Sequence, residues 1–297
     1  MARRRGRTFP RLFALLLFGA AVLALGFWLG HRSAAPAGTR RPSPPAPRPA
    51  ARPAPRPAAA PTEVAEPTGP PTRARVALVI DDLGGSLAPA ARLLALGIPV
   101  TGAVLPFERH SAEVAKRLRA GGAEVIVHLP MEPTGPQDPG PQAVLERWRP
   151  ERIAALTESA IAAVPGATGL NNHMGSRITA DEEPMRAILA VVARHGLYFL
   201  DSRTTEETRA FDWAREAGIP AARRDVFLDD ERTPEAVAAQ FERLLELARA
   251  RGAAVAIGHP HDVTFGVLER AIPRARAAGV EFVPVSYLLE RSENLPE

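Results

Sequence analysis

From Arg75 onward the chain alternates short apolar runs with longer segments whose apolar residues recur at helical spacing. That pattern dictates repeated βα units and a largely parallel sheet buried on both faces. Strands are expected at Val76–Ile80, Val100–Leu105, Glu124–Val127, Thr168–Leu170, Tyr198–Leu200, Asp225–Leu228, Ala254–Ile257 and Glu281–Val285. Between them, Ile153, Leu156, Ala160, Ile161 and Val164 share one helical face, as do Met185, Ile188, Leu189 and Val192. Val237, Phe241, Leu244, Leu245 and Ala248 repeat the stripe in a helix capped by Thr233, opened by Pro234 and stopped by Gly252. The fold class is therefore α/β, a barrel or a doubly wound sheet. Roughly 215 residues are few for a full eight-unit barrel of about 250, so a compact or incomplete barrel is expected.

The first quarter of the chain is different material. Arg3, Arg4, Arg5, Arg7 and Arg11 form a basic tail over residues 1–11, ahead of an uncharged run from Leu12 to Gly30. As a helix that run would rise about 28 Å, close to the hydrocarbon thickness of a bilayer. Residues 12–30 are read as a single-pass signal anchor in the cytoplasmic membrane, with the arginines on the cytoplasmic side. The folded domain then lies on the periplasmic or extracellular side. Ala35-Pro36-Ala37 offers a small-x-small pattern at which a leader could be cleaved, which would release a secreted form. Residues 31–73, rich in Pro and Ala, cannot bury enough apolar surface to fold and are expected to be an extended spacer.

Charge has to be divided in the same way. Residues 1–73 hold 12 arginines against Glu63 and Glu66, which leaves 25 basic and 31 acidic residues in the remainder, a net −6. The basic character belongs to the leader and spacer and excludes a nucleic-acid-binding domain. Cysteine is absent, which excludes disulfides and thiolate chemistry.

Polar residues gather where predicted strands end, and in a parallel barrel those ends share one face. Asp81 and Asp82 close VALVIDDLGG, and His128 follows in VIVHLPMEP. Asn171, Asn172, His173 and Arg177 lie in GLNNHMGSR, and Asp201 and Arg203 in FLDSRTT. Asp229 and Asp230 end VFLDD, and His259 and His261 lie in AIGHPH. Singly, each has a plain structural reading, because an Asp pair caps turns and a strand-end His is commonly hydrogen-bonded framework. Together, His and Asp suit a divalent ion, zinc most readily, with an open position for water. His261 is read as an alternate ligand or as rim surface. Arg177, Arg203 and Arg224 are expected to fix rim carboxylates such as Asp201 and Asp225. Trp148 and Trp213 are candidates for a sugar-stacking platform, although Trp213, in FDWAREAG, suits helix core or groove wall.

The ordered set IDDLG, HLPMEP, GLNNHMGSR, FLDSRTT, RDVFLDD and IGHPH resembles the divergent polysaccharide deacetylases, a bacterial branch of the polysaccharide deacetylase superfamily. The resemblance covers about residues 74–291, leaving 292–297 as a tail. It implies a deformed barrel of about seven βα units, a divalent metal and an acetylated glycan substrate. By analogy with the superfamily's motifs, Asp81 would be general base and Asp82 a metal ligand. His128 matches a ligand histidine, and His259 the general acid. Typical members carry a second histidine a few residues after the first, but Leu129 to Pro133 contains none, so His173 is expected to substitute for it. Asn171, Asn172, Arg177, Asp201, Arg203 and Asp225 are expected to bind substrate or support the site. The arginine-proline stretch of typical members is missing, which leaves two other readings: a catalytically inactive glycan- or partner-binding barrel, and a hydrolase of another amide or ester.

Overall fold

A computed structural model describes residues 73–140 and 142–292. The basic tail, the anchor, residues 31–72 of the spacer and residues 293–297 lie outside them. Among the described residues, no helix is long and apolar enough to cross a membrane.

Strands and helices alternate as β1 (Arg75–Leu83), α1 (Ala88–Ala95), β2 (Thr101–Val104), α2 (Ser111–Ala120), β3 (Glu124–Met131) and α3 (Pro150–Ala163). Then come β4 (Gly169–Met174), α4 (Glu182–Arg194), β5 (Tyr198–Asp201), α5 (Ala210–Glu216), β6 (Ala221–Arg223) and β7 (Val226–Phe227). The chain continues with α6 (Pro234–Arg251), β8 (Ala253–Gly258), α7 (Asp262–Ala277), β9 (Glu281–Val283) and α8 (Val285–Ser292). The caps of α6 follow the chemistry of its ends. Thr233 accepts a bond from the Ala236 amide at 3.2 Å, and Gly252 ends the helix at φ +84.

The sheet runs β6-β5-β4-β3-β2-β1-β8-β7, parallel throughout, and β9 pairs with the opening residues of β1. Its two end strands, β6 and β7, are joined by Arg224 and Asp225 alone. Three Cα–Cα steps span at most about 11 Å, so the sheet must curl until its edges nearly meet. The seam residues are tied one to each side: the Arg224 amide bonds the Asp201 carbonyl at 3.0 Å, and the Asp225 amide the Val255 carbonyl at 2.9 Å. The expected deformed barrel is thus a curled parallel sheet left open at one seam.

Strand periodicity sorts the side chains into two cores. Val76, Leu78 and Ile80 of β1 pack outward against the helices. Ala77 and Val79 point inward with Ala103, Ile126, Leu200, Val255 and Ile257, and Val285 and Leu289 of α8 plug this inner core. Several expected boundaries shift. β3 and β4 run on through His128 and His173, because polar side chains that satisfy one another inside the curl replace the apolar signal a strand would show. β6 was not expected, since Ala221–Arg223 carries almost no hydrophobic pattern. Val285, expected to end the last strand, instead opens α8.

The plug is held by one carboxylate. Glu124 Oε2 accepts from the Val285 amide at 2.9 Å, from Thr101 Oγ1 at 2.7 Å and from the Tyr198 hydroxyl at 3.0 Å. Burial, reinforced by the Glu124 charge, pushes the Tyr198 phenol well above its ordinary range, so it stays a donor. Replacing Glu124 with Ala takes this acceptor from the Thr101 and Tyr198 hydroxyls and leaves the Val285 amide its longer bond to Thr101 Oγ1, at 3.2 Å. The Glu124→Ala protein should lose about 1–3 kcal/mol of stability, read as a lower denaturant midpoint at unchanged slope.

Candidate metal centre and active site

Asp81 continues the inward series of Ala77 and Val79 and is buried. Strict alternation would turn Asp82 outward, into the helix layer. Instead the register shifts between Ile80 and Leu83, and Asp82 adopts φ +56, which returns its carboxylate to the rim beside Asp81. Met174 at φ +51 and Arg203 at φ +50 repeat the left-handed turn directly after His173 and Ser202. Each such residue costs about 1–2 kcal/mol, a strain held where it aims polar groups.

Asn171 sets the geometry beneath them. Its Nδ2 donates to Asp81 Oδ1 at 3.0 Å and to Ser202 Oγ at 3.1 Å. Its Oδ1 is therefore the acceptor for His128 Nδ1–H at 2.8 Å, which leaves His128 Nε2 facing the rim as a lone pair when the ring is neutral. There it stands 3.2 Å from Asp82 Oδ1 and 3.1 Å from His173 Nδ1, and the third side, His173 Nδ1 to Asp82 Oδ1, is 2.9 Å. Four ligands at about 2.0–2.1 Å around zinc-sized ions stand about 3.3 Å apart, so this triangle has the dimensions of a coordination face. Asp82 Oδ1 is buried with no hydrogen-bond partner, as expected of a lone pair meant for a cation. The three residues fit a divalent ion.

Charge coupling inside the cluster is strong. Burial raises the Asp81 carboxyl and outweighs the nearby His128 and His259. Burial would also raise Asp82, but the imidazoles of His128 and His173 overcome it and hold that carboxyl far below the usual range. His128, which burial alone would lower, is pushed up to about 9 by Asp81 and Asp82.

Across the cavity, His259 Nε2 stands 3.9 Å from Asp82 Oδ2. Its Nδ1 bonds Asp229 Oδ1 at 2.9 Å, while Asp229 Oδ2 accepts from the His259 amide at 2.6 Å and from Thr264 Oγ1 at 2.7 Å. Burial opposes the imidazolium, yet Asp229, Asp81 and Asp82 raise its pKa above the ordinary value. Asp229 was placed at the rim by its position after a strand, but its role needed the β7–β8 pairing to be known. The His261 ring stacks on His259 at 5.9 Å and forms a second potential donor group with it and Asp229.

Asp81, Asp82, His128, His173, Asp229 and His259 surround a cavity of about 730 Å³, which Asn172, Ser202, Arg203 and Asp225 also line. That is ample for a sugar unit. Asn172 spends its side chain on backbone, accepting from the Ser202 amide at 2.9 Å and donating to the Met174 carbonyl at 2.8 Å. Asp225 is fixed by the Val255 amide at 2.9 Å and by Arg251 at 3.3 Å, not by Arg203 or Arg224 as expected. Besides Asn171, which lies beneath the rim, two expected residues do not line the cavity. Arg177 pairs with Glu132 and Glu146, each at 3.4 Å. Asp201 follows inward-facing Leu200, so alternation turns it toward the helices, where it accepts from Thr208 Oγ1 at 2.8 Å and the Phe211 amide at 3.3 Å. Nor do the tryptophans form a platform here: Trp213 is buried in α5, and Trp148 lies under the Arg152 guanidinium at 3.7 Å.

Fold and site together define a curled parallel α/β barrel that sets paired aspartates of its first strand against histidines of later strands at one rim. Residues 78–289 match the family model described as divergent polysaccharide deacetylase, and the chain belongs to that family. It is 36% identical to the Escherichia coli protein YibQ over 205 residues, 69% of this chain and 64% of that one. The match therefore spans less than two thirds of that relative. A Haemophilus influenzae protein is 29% identical over 224 residues, 75% of this chain and 80% of its own length. The crystal structure of an Agrobacterium tumefaciens protein, ATU2773, shares the fold with a TM-score of 0.69 at 25% identity, over 72% of this chain and 89% of that one.

The donor triangle makes a direct prediction. By metal analysis after dialysis, the protein should retain about one divalent ion per chain, and Asp82→Ala and His173→Ala should lose it. Asn171→Leu keeps all three donors but frees the His128 ring, and should weaken metal affinity about 10–100-fold. Full occupancy in His173→Ala would remove that residue from the ligand set.

Proposed function

We propose that the protein is a metal-dependent carbohydrate deacetylase that hydrolyses an N- or O-acetyl group of a glycan. One observation carries this reading: the Asp82–His128–His173 triangle is flanked by Asp81 on one side and by the His259–Asp229 pair on the other. A triangle of donors with a carboxylate base and an imidazolium acid around it is what acyl transfer to water requires. When bound, a divalent ion, zinc by this set of two imidazoles and a carboxylate, supplies Lewis-acid polarisation of the acetyl carbonyl.

The chain's own residues do the rest. Asp81, whose burial makes it a stronger base than an exposed aspartate, takes the proton of the attacking water. Asn171 holds that carboxylate and His128 in register, so base and ligand cannot drift apart. His259, oriented at Nδ1 by Asp229, delivers the Nε2 proton to the departing amine or hydroxyl as the bond to the acetyl carbon breaks. The products are acetate and the freed amino sugar or sugar hydroxyl. We place this chemistry outside the cytoplasmic membrane, with residues 12–30 as the anchor; alkaline extraction that strips the full chain from membranes would sink that placement.

Asp81→Asn and His259→Gln should each lower acetate release by about 10²–10⁴-fold in kcat while the metal content stays at the wild-type level. Asp229→Asn should lower kcat with little change in KM, because it disturbs only the aim of the acid. Metal-replete protein that frees no acetate from any N- or O-acetylated glycan overturns the deacetylase reading. Unchanged cellular function in Asp81→Asn would move the protein to the non-catalytic, glycan-binding reading.

A further inference from the structure

One wall of the cavity is lined by arginines. Arg203 follows β5, Arg224 sits in the open seam, Arg232 precedes α6 and Arg243 lies on it, and all four line the cavity. Arg224 donates to the Ser202 carbonyl at 2.6 Å and the Arg203 carbonyl at 2.8 Å, while Arg203 Nη1 reaches back to the Arg224 carbonyl at 3.5 Å. Among the described residues, none of the four forms an ion pair with a carboxylate. The cavity's acids are largely engaged elsewhere: Asp82 faces two imidazoles, Asp229 holds His259, and Asp225 is bound by Val255 and Arg251. Asp81 is held by Asn171, and Asp230 also lines the cavity without pairing with any of the four arginines. Burial, joined by the charge of Arg203, lowers the Arg224 pKa against the opposing pull of Asp81, Asp201 and Asp230.

A neutral sugar would look for an exposed aromatic face on which to stack, beside the polar contacts that Gln240 and Asp230 offer. Apart from its histidines, the aromatic ring on this cavity is Phe227, and that ring is taken by Arg224 at 4.8 Å and by His259 at 5.2 Å. Guanidinium groups, by contrast, present paired N–H donors matched to a carboxylate or phosphate. We propose that Arg203, Arg224, Arg232 and Arg243 form a subsite for an oxyanion carried by the substrate, so that the acetylated ligand is an anionic glycan. The acetyl part of this assignment rests on the deacetylase reading; the charge rests on the arginines alone.

The test uses the full-length, metal-loaded protein and three acetylated oligosaccharides that differ in one group: a carboxylate, a phosphate, or a neutral hydroxyl. By calorimetry at low salt, at least one anionic sugar should bind about 10-fold or more tightly than the neutral one, a gap that salt should narrow. Which of the two binds better identifies the oxyanion. The exposed pair Arg232→Ala and Arg243→Ala, combined, should bring the gap to within about 2-fold, and Arg243→Glu should weaken anionic binding while sparing neutral binding. Equal affinities, a preference that survives the double variant, or no binding of either anionic sugar overturns the subsite. Acetate release measured in parallel separates the two readings. Preference without acetate release refutes the deacetylase and keeps the subsite, whereas release without preference does the reverse.

Discussion

The site depends on one neutral amide. Asn171 is fully buried, and its side chain bonds Asp81 of β1, His128 of β3 and Ser202 beyond β5 at once. Every donor and acceptor it uses is matched, so it costs the interior little, whereas a charged residue there would need its own counter-ion. Because an amide has distinct ends, it also imposes direction: hydrogen goes to the carboxylate, and the carbonyl takes the imidazole proton. When the His128 ring is neutral its tautomer follows from this, and the rim then presents a lone pair rather than an N–H.

Around that point the barrel separates two kinds of polar burden. At the floor, Glu124 is neutralised by hydroxyls and helix amides, an arrangement fully satisfied within the protein. At the rim, Asp82 Oδ1 is left without a hydrogen-bond partner and three backbone positions stay left-handed. The same sheet therefore carries a relaxed end and a strained, unsatisfied end, which is the usual division between framework and chemistry.

Much of this was legible before any coordinates. Alternation along β1, β3 and β8 links Asp81 to Val79, His128 to Ile126 and His259 to Ile257, so the shared inward face could be read from apolar neighbours two residues away. The same rule assigns Asp201 to the opposite face from Leu200, a parity that placement at a strand end alone overlooks. Asp82 was harder, because its useful position comes from a register shift and a positive φ that no residue type announces. Asp229 required knowing which strands are neighbours, and Arg177 found partners in a loop whose path sequence does not specify. Residue chemistry was readable, in short, wherever local periodicity sufficed, and unreadable where pairing between distant segments decided the outcome.

The order of the strands has a consequence for how the chain can be made. β1, among the first described residues, takes as partners β8 and β9, beginning at Ala253 and Glu281, and the inner core is closed only by Val285 and Leu289. A polypeptide stopped at residue 280 would contain every residue of the proposed catalytic and metal set, yet its central strand would lack β9 and its interior would be open to water. Synthesis proceeds from the other end, so the frame is completed only after the last strand and helix of the barrel have emerged. Closure of this barrel waits on contacts between opposite ends of the domain.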